Sequence, residues 1–227
     1  MNTKKNQRFF KQKTAYVAIG LGMLIVGFLM LWLGWSAVSY YGGWALVGVG
    51  FIFFVVVGAR QVPESEIRQC IERTMAGLGD DLPERPERIM KNPEPFLAKG
   101  HWYGEMAGNY ARVKDSKVIS DVYGGAKLSF TNEVLWVSAR RFCLTTGEIQ
   151  NDQLRIEWSA LGGAEILPFE MRVRLTNSKN ATAAVRGAML RLYDVEGKDY
   201  LQTPIPNDMD AEHLCETIAR MIADRRA

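Results

Sequence analysis

The chain has 227 residues and a net charge of +3. So small an excess, gathered largely at the N-terminus, speaks against a nucleic-acid-binding surface. Three widely separated cysteines, Cys70, Cys143 and Cys215, exclude a disulfide framework and a zinc signature, and they suit a reducing compartment.

Residues 1–13 hold Lys4, Lys5, Arg8, Lys11 and Lys13 and no acid. This is a basic tail, expected to meet anionic lipid headgroups. Thr14 to Ala59 then runs for 46 residues without Asp, Glu, Lys, Arg or His. As one helix it would reach about 69 Å, more than twice the ~30 Å hydrocarbon core, so it divides into two membrane spans. They are placed at about Tyr16–Val38 and Trp44–Ala59. The break is expected at Ser39–Gly43, where paired glycines favour a turn and Tyr40, Tyr41, Trp35 and Trp44 suit the membrane–water interface. Short cationic flanks stay in the cytoplasm, so the tail and the chain after Arg60 are both expected there. The first apolar run is too long for the core of a signal peptide and lacks a small-residue cleavage site, so it reads as an anchor.

Gly20, Gly27 and Gly34 recur at a constant interval along one side of the first span, and Gly43 and Gly50 repeat that interval in the second. Small residues let membrane helices approach closely. The expected use is packing of the two spans on each other; the alternative is a stripe that binds a partner or a second copy of the chain. No ionisable group lies at membrane depth, which argues against a transporter or pump.

The remaining ~165 residues suffice for one domain with its own core. Pro63-Glu64-Ser65-Glu66 opens a helix, since proline and acids suit a first turn. Ile67, Cys70, Ile71, Met75 and Leu78 give it an apolar stripe, and Gly77 and Gly79 end it. It is expected to be a juxtamembrane helix packed on the domain. Pro83, Pro86, Pro93 and Pro95 among alternating charges then make a semi-rigid connector, completing a linking region over residues 60–97.

From residue 98 the texture is that of short strands. Val118–Tyr123 is expected to stop at Gly124-Gly125, followed by Lys127–Phe130, Val134–Val137, Arg141–Leu144 and Leu154–Trp158. Over Glu165–Leu175 the alternation is clear: Met171, Val173 and Leu175 point one way, Arg172, Arg174 and Thr176 the other. Met189–Tyr193 and Tyr200–Thr203 flank a turn at Glu196-Gly197. Pro204 and Pro206 are expected to stop the sheet. Asp208 or Asp210 then starts a helix to about Arg225, with Leu214, Ile218 and Ile222 on one face. The expected fold is a transmembrane α-hairpin over residues 14–59 joined to a cytoplasmic α+β domain over 98–227, an antiparallel sheet or partly open barrel closed by a C-terminal helix.

The chemistry in this domain is sparse. His213 reads as a solvated histidine on the polar side of the last helix, and Cys215 diverges from it around that helix, so the pair would not chelate a metal. His101, beside Trp102 and Tyr103, reads as a packing or interface residue, because no nucleophile with an orienting acid is marked out for it. Gly124-Gly125 and Gly162-Gly163 lack phosphate-loop spacing and read as turns. Asp80, Asp81, Glu84 and Glu87 read as solvated charges of the connector. Cys143 reads as a buried, inert thiol. Arg140, Arg141, Arg172 and Arg174 could form a basic face toward lipid headgroups, against the plainer reading of a solvated strand surface. No catalytic residue, metal or cofactor is expected.

Ile156-Glu157-Trp158-Ser159-Ala160-Leu161, the hairpin turning at Asp194 to Lys198 and the closing helix together resemble the pleckstrin-homology-type barrel of bacterial membrane-anchored proteins, over about Ser116 to Ala227. The whole layout, with the basic start Met1-Asn2-Thr3-Lys4-Lys5, an early hydrophobic part and a cytosolic domain, resembles the entry (surface) exclusion proteins of conjugative I-type plasmids. That resemblance implies a protein of the bacterial inner membrane that recognises a donor transfer-apparatus component and blocks redundant plasmid uptake. Immunity against a contact-delivered toxin and a structural adaptor role in an envelope complex are the rival expectations.

Overall fold

The computed structural model describes residues 1–11, 15–34, 36–59, 62–80, 90, 93–103, 110–114, 117–176, 181–205 and 209–226. The apolar run forms two helices that pack against each other, α2 (Ala15–Leu33) and α3 (Ala37–Ala59). Within α3, Ala37–Val56 is long and apolar enough to cross a membrane, while the apolar stretch of α2, Ala18–Leu33, is shorter. Phe28, Trp32, Phe51 and Ile52 are among the large apolar side chains exposed on the outside of the pair.

Helix α2 ends at Leu33 and α3 already begins at Ala37, ahead of the expected break at Ser39–Gly43, so Ser39 to Gly43 are helical. Two local forces decide this. Gly34 takes φ +54° and ends α2, a conformation that costs glycine least, and the Ser36 hydroxyl accepts from the Ser39 amide at 3.2 Å to start α3. Gly43 is needed elsewhere: a Cβ there would lie 3.0 Å from the Gly27 carbonyl oxygen. Trp35 lies outside the described residues.

The basic tail forms a helix, α1 (Thr3–Lys11), that joins the domain. Phe9 and Phe10 are both 0% exposed, in a cluster with Val62, Ile67, Ile119, Phe142 and Leu144. Asn6 Nδ2 donates to the Leu144 carbonyl at 2.8 Å, Gln7 to Thr145 at 2.9 Å, and the Arg112 guanidinium donates to the Phe9 carbonyl at 2.8 Å. Lys5 pairs with Glu66. The tail therefore belongs to the folded domain through its apolar side, with Lys4, Arg8 and Lys11 left exposed on the other.

Helix α4 (Glu64–Met75) follows Pro63 as expected. Arg140 closes its other end, donating to the carbonyls of Thr74 at 2.6 Å and Ala76 at 3.4 Å where no intrahelical donor is available. Of the connector, residues 81–89 and 91–92 lie outside the described residues, and Met90 donates its amide to Phe130.

Among the described residues nine strands follow: β1 (Phe96–His101), β2 (Ala111–Lys114), β3 (Lys117–Ser120), β4 (Val122–Phe130), β5 (Val134–Cys143), β6 (Ile149–Glu157), β7 (Leu161–Arg174), β8 (Thr182–Asp194) and β9 (Asp199–Ile205). They form a four-stranded sheet in the order β1-β4-β5-β6, a β2–β3 hairpin, and a three-stranded sheet β7-β8-β9. Every strand pair is antiparallel. Helix α5 (Met209–Arg226) closes the domain: Leu214, Ile218 and Ile222 join Leu128, Leu135, Leu190 and Leu192 of both larger sheets in the main core.

Three local expectations are corrected. Gly124-Gly125 does not turn; β4 runs through it, pairing with Gly100 and Lys99 on one side and Arg141 and Arg140 on the other. A Cβ on Gly125 would come within 2.8 Å of the Ala98 carbonyl, so the glycine serves close approach. Gly162-Gly163 likewise sits in β7, at a register shift against Asp194 and Tyr193. Pro204 lies inside β9 opposite Met189, on the edge of its sheet, where a missing donor is tolerated; Pro206 and Asp208 are outside the described residues. The turn at Asp194 to Lys198 is as expected, with Gly197 at φ +86°.

Candidate functional site

The strand order leaves a gap in the meander. Between β1 and β4 the chain makes an excursion through β2 and β3, and a groove of about 1230 Å³ opens between α4, this inserted hairpin and β8. Ile67, Ile71 and Met75 line the α4 wall; Val118 and Ile119 of β3 and Val185 of β8 line the opposite one. The β7–β8 pair reaches this wall because it is long, extending past the end of β9, and Leu175 bridges to Ala111 beside the insert.

The floor holds His101, Tyr103 and Tyr123. The Tyr103 hydroxyl donates to the Val118 carbonyl at 2.6 Å, and His101 Nδ1 lies 3.0 Å from the Ser120 carbonyl. A carbonyl only accepts, so Nδ1 carries the proton and Nε2 is left as an acceptor. Burial holds the His101 pKa below its usual 6.5, partly offset by the Ser120 contact and by Glu64. Burial also pushes Tyr103 up to about 12 and raises Tyr123. All three rings are therefore neutral at pH 7. His101 and Tyr123 stack edge to face with centroids 5.1 Å apart, so the floor presents mostly ring surface.

The rim is charged. Arg68 pairs with Glu64 at 3.2 Å and Arg186 with Glu170 at 3.2 Å. Lys99 and Lys117 are exposed on the strand side and form no ion pair among the described residues, while Glu72 sits on the helix side. The arrangement offers a largely apolar and aromatic trough with the His101 imidazole among its lining and two lysines, unpaired among the described residues, on the strand side.

A buried carboxylate fixes the insert. Asp121, 0% exposed, accepts from the Tyr110 amide at 2.8 Å, from Thr145 Oγ1 and from Cys143 Sγ at 3.4 Å. Its own backbone bonds both Tyr110 and Leu144 at 2.8 Å. Burial raises its pKa, against the hydrogen bonds that it accepts. Cys143 is thus a buried thiol in a hydrogen-bonded staple. Sequence reasoning passed over Asp121 and Thr145; a lone acid inside an apolar strand series was the available signal.

The glycines singled out in the sequence lie at the α2–α3 contact. Gly27 faces Gly43 and Val47, Gly50 faces Met23 and the Gly20 carbonyl, and Gly20 faces Phe53 and Phe54. Gly34 belongs to the turn. The four arginines are divided between two sheets: Arg140 is engaged with α4, Arg141 stacks at 4.0 Å over Trp102, and Arg172 and Arg174 lie exposed on β7 opposite Ala184 and Thr182. His213 is exposed on α5, 3.9 Å from Glu216. Among the described residues no group of three His, Cys, Asp or Glu side chains is placed to hold a metal ion. No protein-family model, curated protein or solved structure matches this chain.

Proposed function

We propose that this is a non-catalytic, membrane-anchored recognition protein that binds a protein partner in the α4 groove. Its proposed role is entry exclusion: in the inner membrane of a recipient bacterium it recognises a donor transfer component and blocks uptake of a related conjugative plasmid. The observation that carries the anchoring part is α1. Residues before the apolar hairpin pack, through Phe9 and Phe10, onto the domain that follows it, so the chain enters and leaves the hairpin on one side. If α3 crosses a bilayer, α2 must cross back; its 19 residues reach about 28 Å, close to the hydrocarbon thickness. The exposed cations of α1 favour the cytoplasmic side for both ends. Strands of two antiparallel sheets sharing one core and closed by α5 support the pleckstrin-homology-type reading of the domain. The groove's largely aliphatic and aromatic lining supports the recognition reading.

The test is the frequency with which a recipient expressing the protein takes up a related I-type conjugative plasmid, compared with an unrelated plasmid and an empty-vector recipient. A selective fall of several orders of magnitude is expected. Equal frequencies would remove the exclusion role.

A further inference from the structure

The charge around the groove is asymmetric. Four cations and two acids line it, and both acids, Glu64 and Glu72, stand on the α4 wall, whereas Lys99, Lys117 and Arg186 stand on the strand side. Glu64 is occupied by Arg68 and Arg186 by Glu170, so the open charges are Lys99 and Lys117 across from Glu72. A ligand complementary to this must be acidic along one edge only. In an extended chain successive side chains point to opposite sides, so carboxylates at alternate positions fall on a single edge. The wall length agrees: α4 has 12 residues, about 18 Å, the span of about five extended residues.

The floor adds a second requirement. The rings of Tyr103 and Tyr123 in the lining favour an aromatic side chain, and His101 Nε2, left as an acceptor by the Nδ1 contact with the Ser120 carbonyl, favours one that carries a donor, the indole N–H of Trp or the O–H of Tyr. Resting on the recognition reading above, we propose that the groove binds an extended, acidic peptide segment of the partner that inserts a Trp or Tyr side chain over His101 and sets alternate carboxylates against Lys99 and Lys117. Glu72, open on the α4 wall, disfavours an anionic lipid headgroup, which carries its charge on every side.

The experiment is selection of a phage-displayed random dodecapeptide library on the full-length protein held in neutral phosphatidylcholine nanodiscs. Enriched peptides are expected to carry acids at alternate positions beside a Trp or Tyr. Affinity for the best of them is expected to fall about tenfold in the Lys99→Glu/Lys117→Glu double variant, both positions being exposed, and by less in His101→Phe. Thermal unfolding of each variant checks that the domain is intact. No enrichment, a neutral or basic consensus, or affinity unchanged in the double variant would overturn the proposal, as would displacement of selected peptides by anionic vesicles at equal strength in wild type and double variant. A recipient carrying the double variant separates the two ideas: exclusion retained in full while peptide selection fails sinks the groove ligand alone, whereas exclusion absent in wild type sinks the role alone.

Discussion

The domain has two cores that are built differently. The main core is made largely by strands that follow one another along the chain, β4 to β9, and by α5 after them, with Ala98 of β1 added at one edge; Phe130, Leu135, Leu190 and Ile218 are each at most 1% exposed. The satellite core joins pieces far apart in sequence: Phe9 and Phe10 from α1, Ile67 from α4, Ile119 from the insert, and Phe142 and Leu144 from β5 and its turn. Chain-neighbour packing makes the first cooperative, while the second depends on a short helix that contributes two rings and a few hydrogen bonds. A nine-residue helix has little stability of its own, so α1 is helical because it is docked. The groove lies on the satellite side, sharing Ile67, Ile71 and Ile119 with that cluster, so its walls rest on the core assembled from distant segments.

Three substitutions grade this contrast. Leu190→Ala removes a fully buried side chain from the main core and is expected to cost about 2–5 kcal/mol, lowering the midpoint of chemical denaturation of the whole domain in detergent. Phe9→Ala removes a comparable volume, nominally about 3–5 kcal/mol, yet the loss is limited to undocking α1. Hydrogen exchange is expected to rise in residues 3–11 and α4 while β4 and β5 keep their protection; cooperative loss across all strands would mean that the two cores are one. The smallest effect is that of His101. Its folded pKa lies below 6.5, so the unfolded chain takes up the proton first, and stability declines as pH falls from 6.5 through the folded value. His101→Asn keeps a donor for the Ser120 carbonyl and is expected to flatten that decline in thermal unfolding measured across the same range.

The contrast also explains what was legible. At the end of β7, Met171 and Val173, with Leu175 just beyond the strand, alternate with exposed Arg172 and Arg174, and the pattern needs no knowledge of what lies across the strand. The same holds for α4 and α5 and for the turn at Gly197, where local chemistry dictates local structure. Gly124 and Gly125 misled because glycine is ambiguous: alone it signals a turn, and only the presence of Ala98 and Met75 across the strand makes it a point of close approach. Phe9 and Phe10 carry no local mark either, since their docking shows only once Ile67, Ile119 and Phe142 are put before them. Of the site, His101 reads from sequence as a packing or interface residue beside Trp102 and Tyr103, and Asp121 shows as a lone acid in an apolar strand series, but Lys99 and Lys117 carry no local mark.

The sequence by itself determined the uncharged apolar run, the glycines that the α2–α3 contact uses, the amphipathic helices and the alternating strands, because each follows from periodicity or from a residue's own backbone preference. Only the tertiary structure decided that α1 closes onto the domain, that the chain between β1 and β4 folds out as an insert stapled by Asp121, and that α4 stands off that insert to leave a groove. Those features depend on contacts between residues separated by up to 138 positions, as between Asn6 and Leu144, and the strength of such a contact is set by the shape and solvation of the assembled surface, which no local stretch of sequence contains.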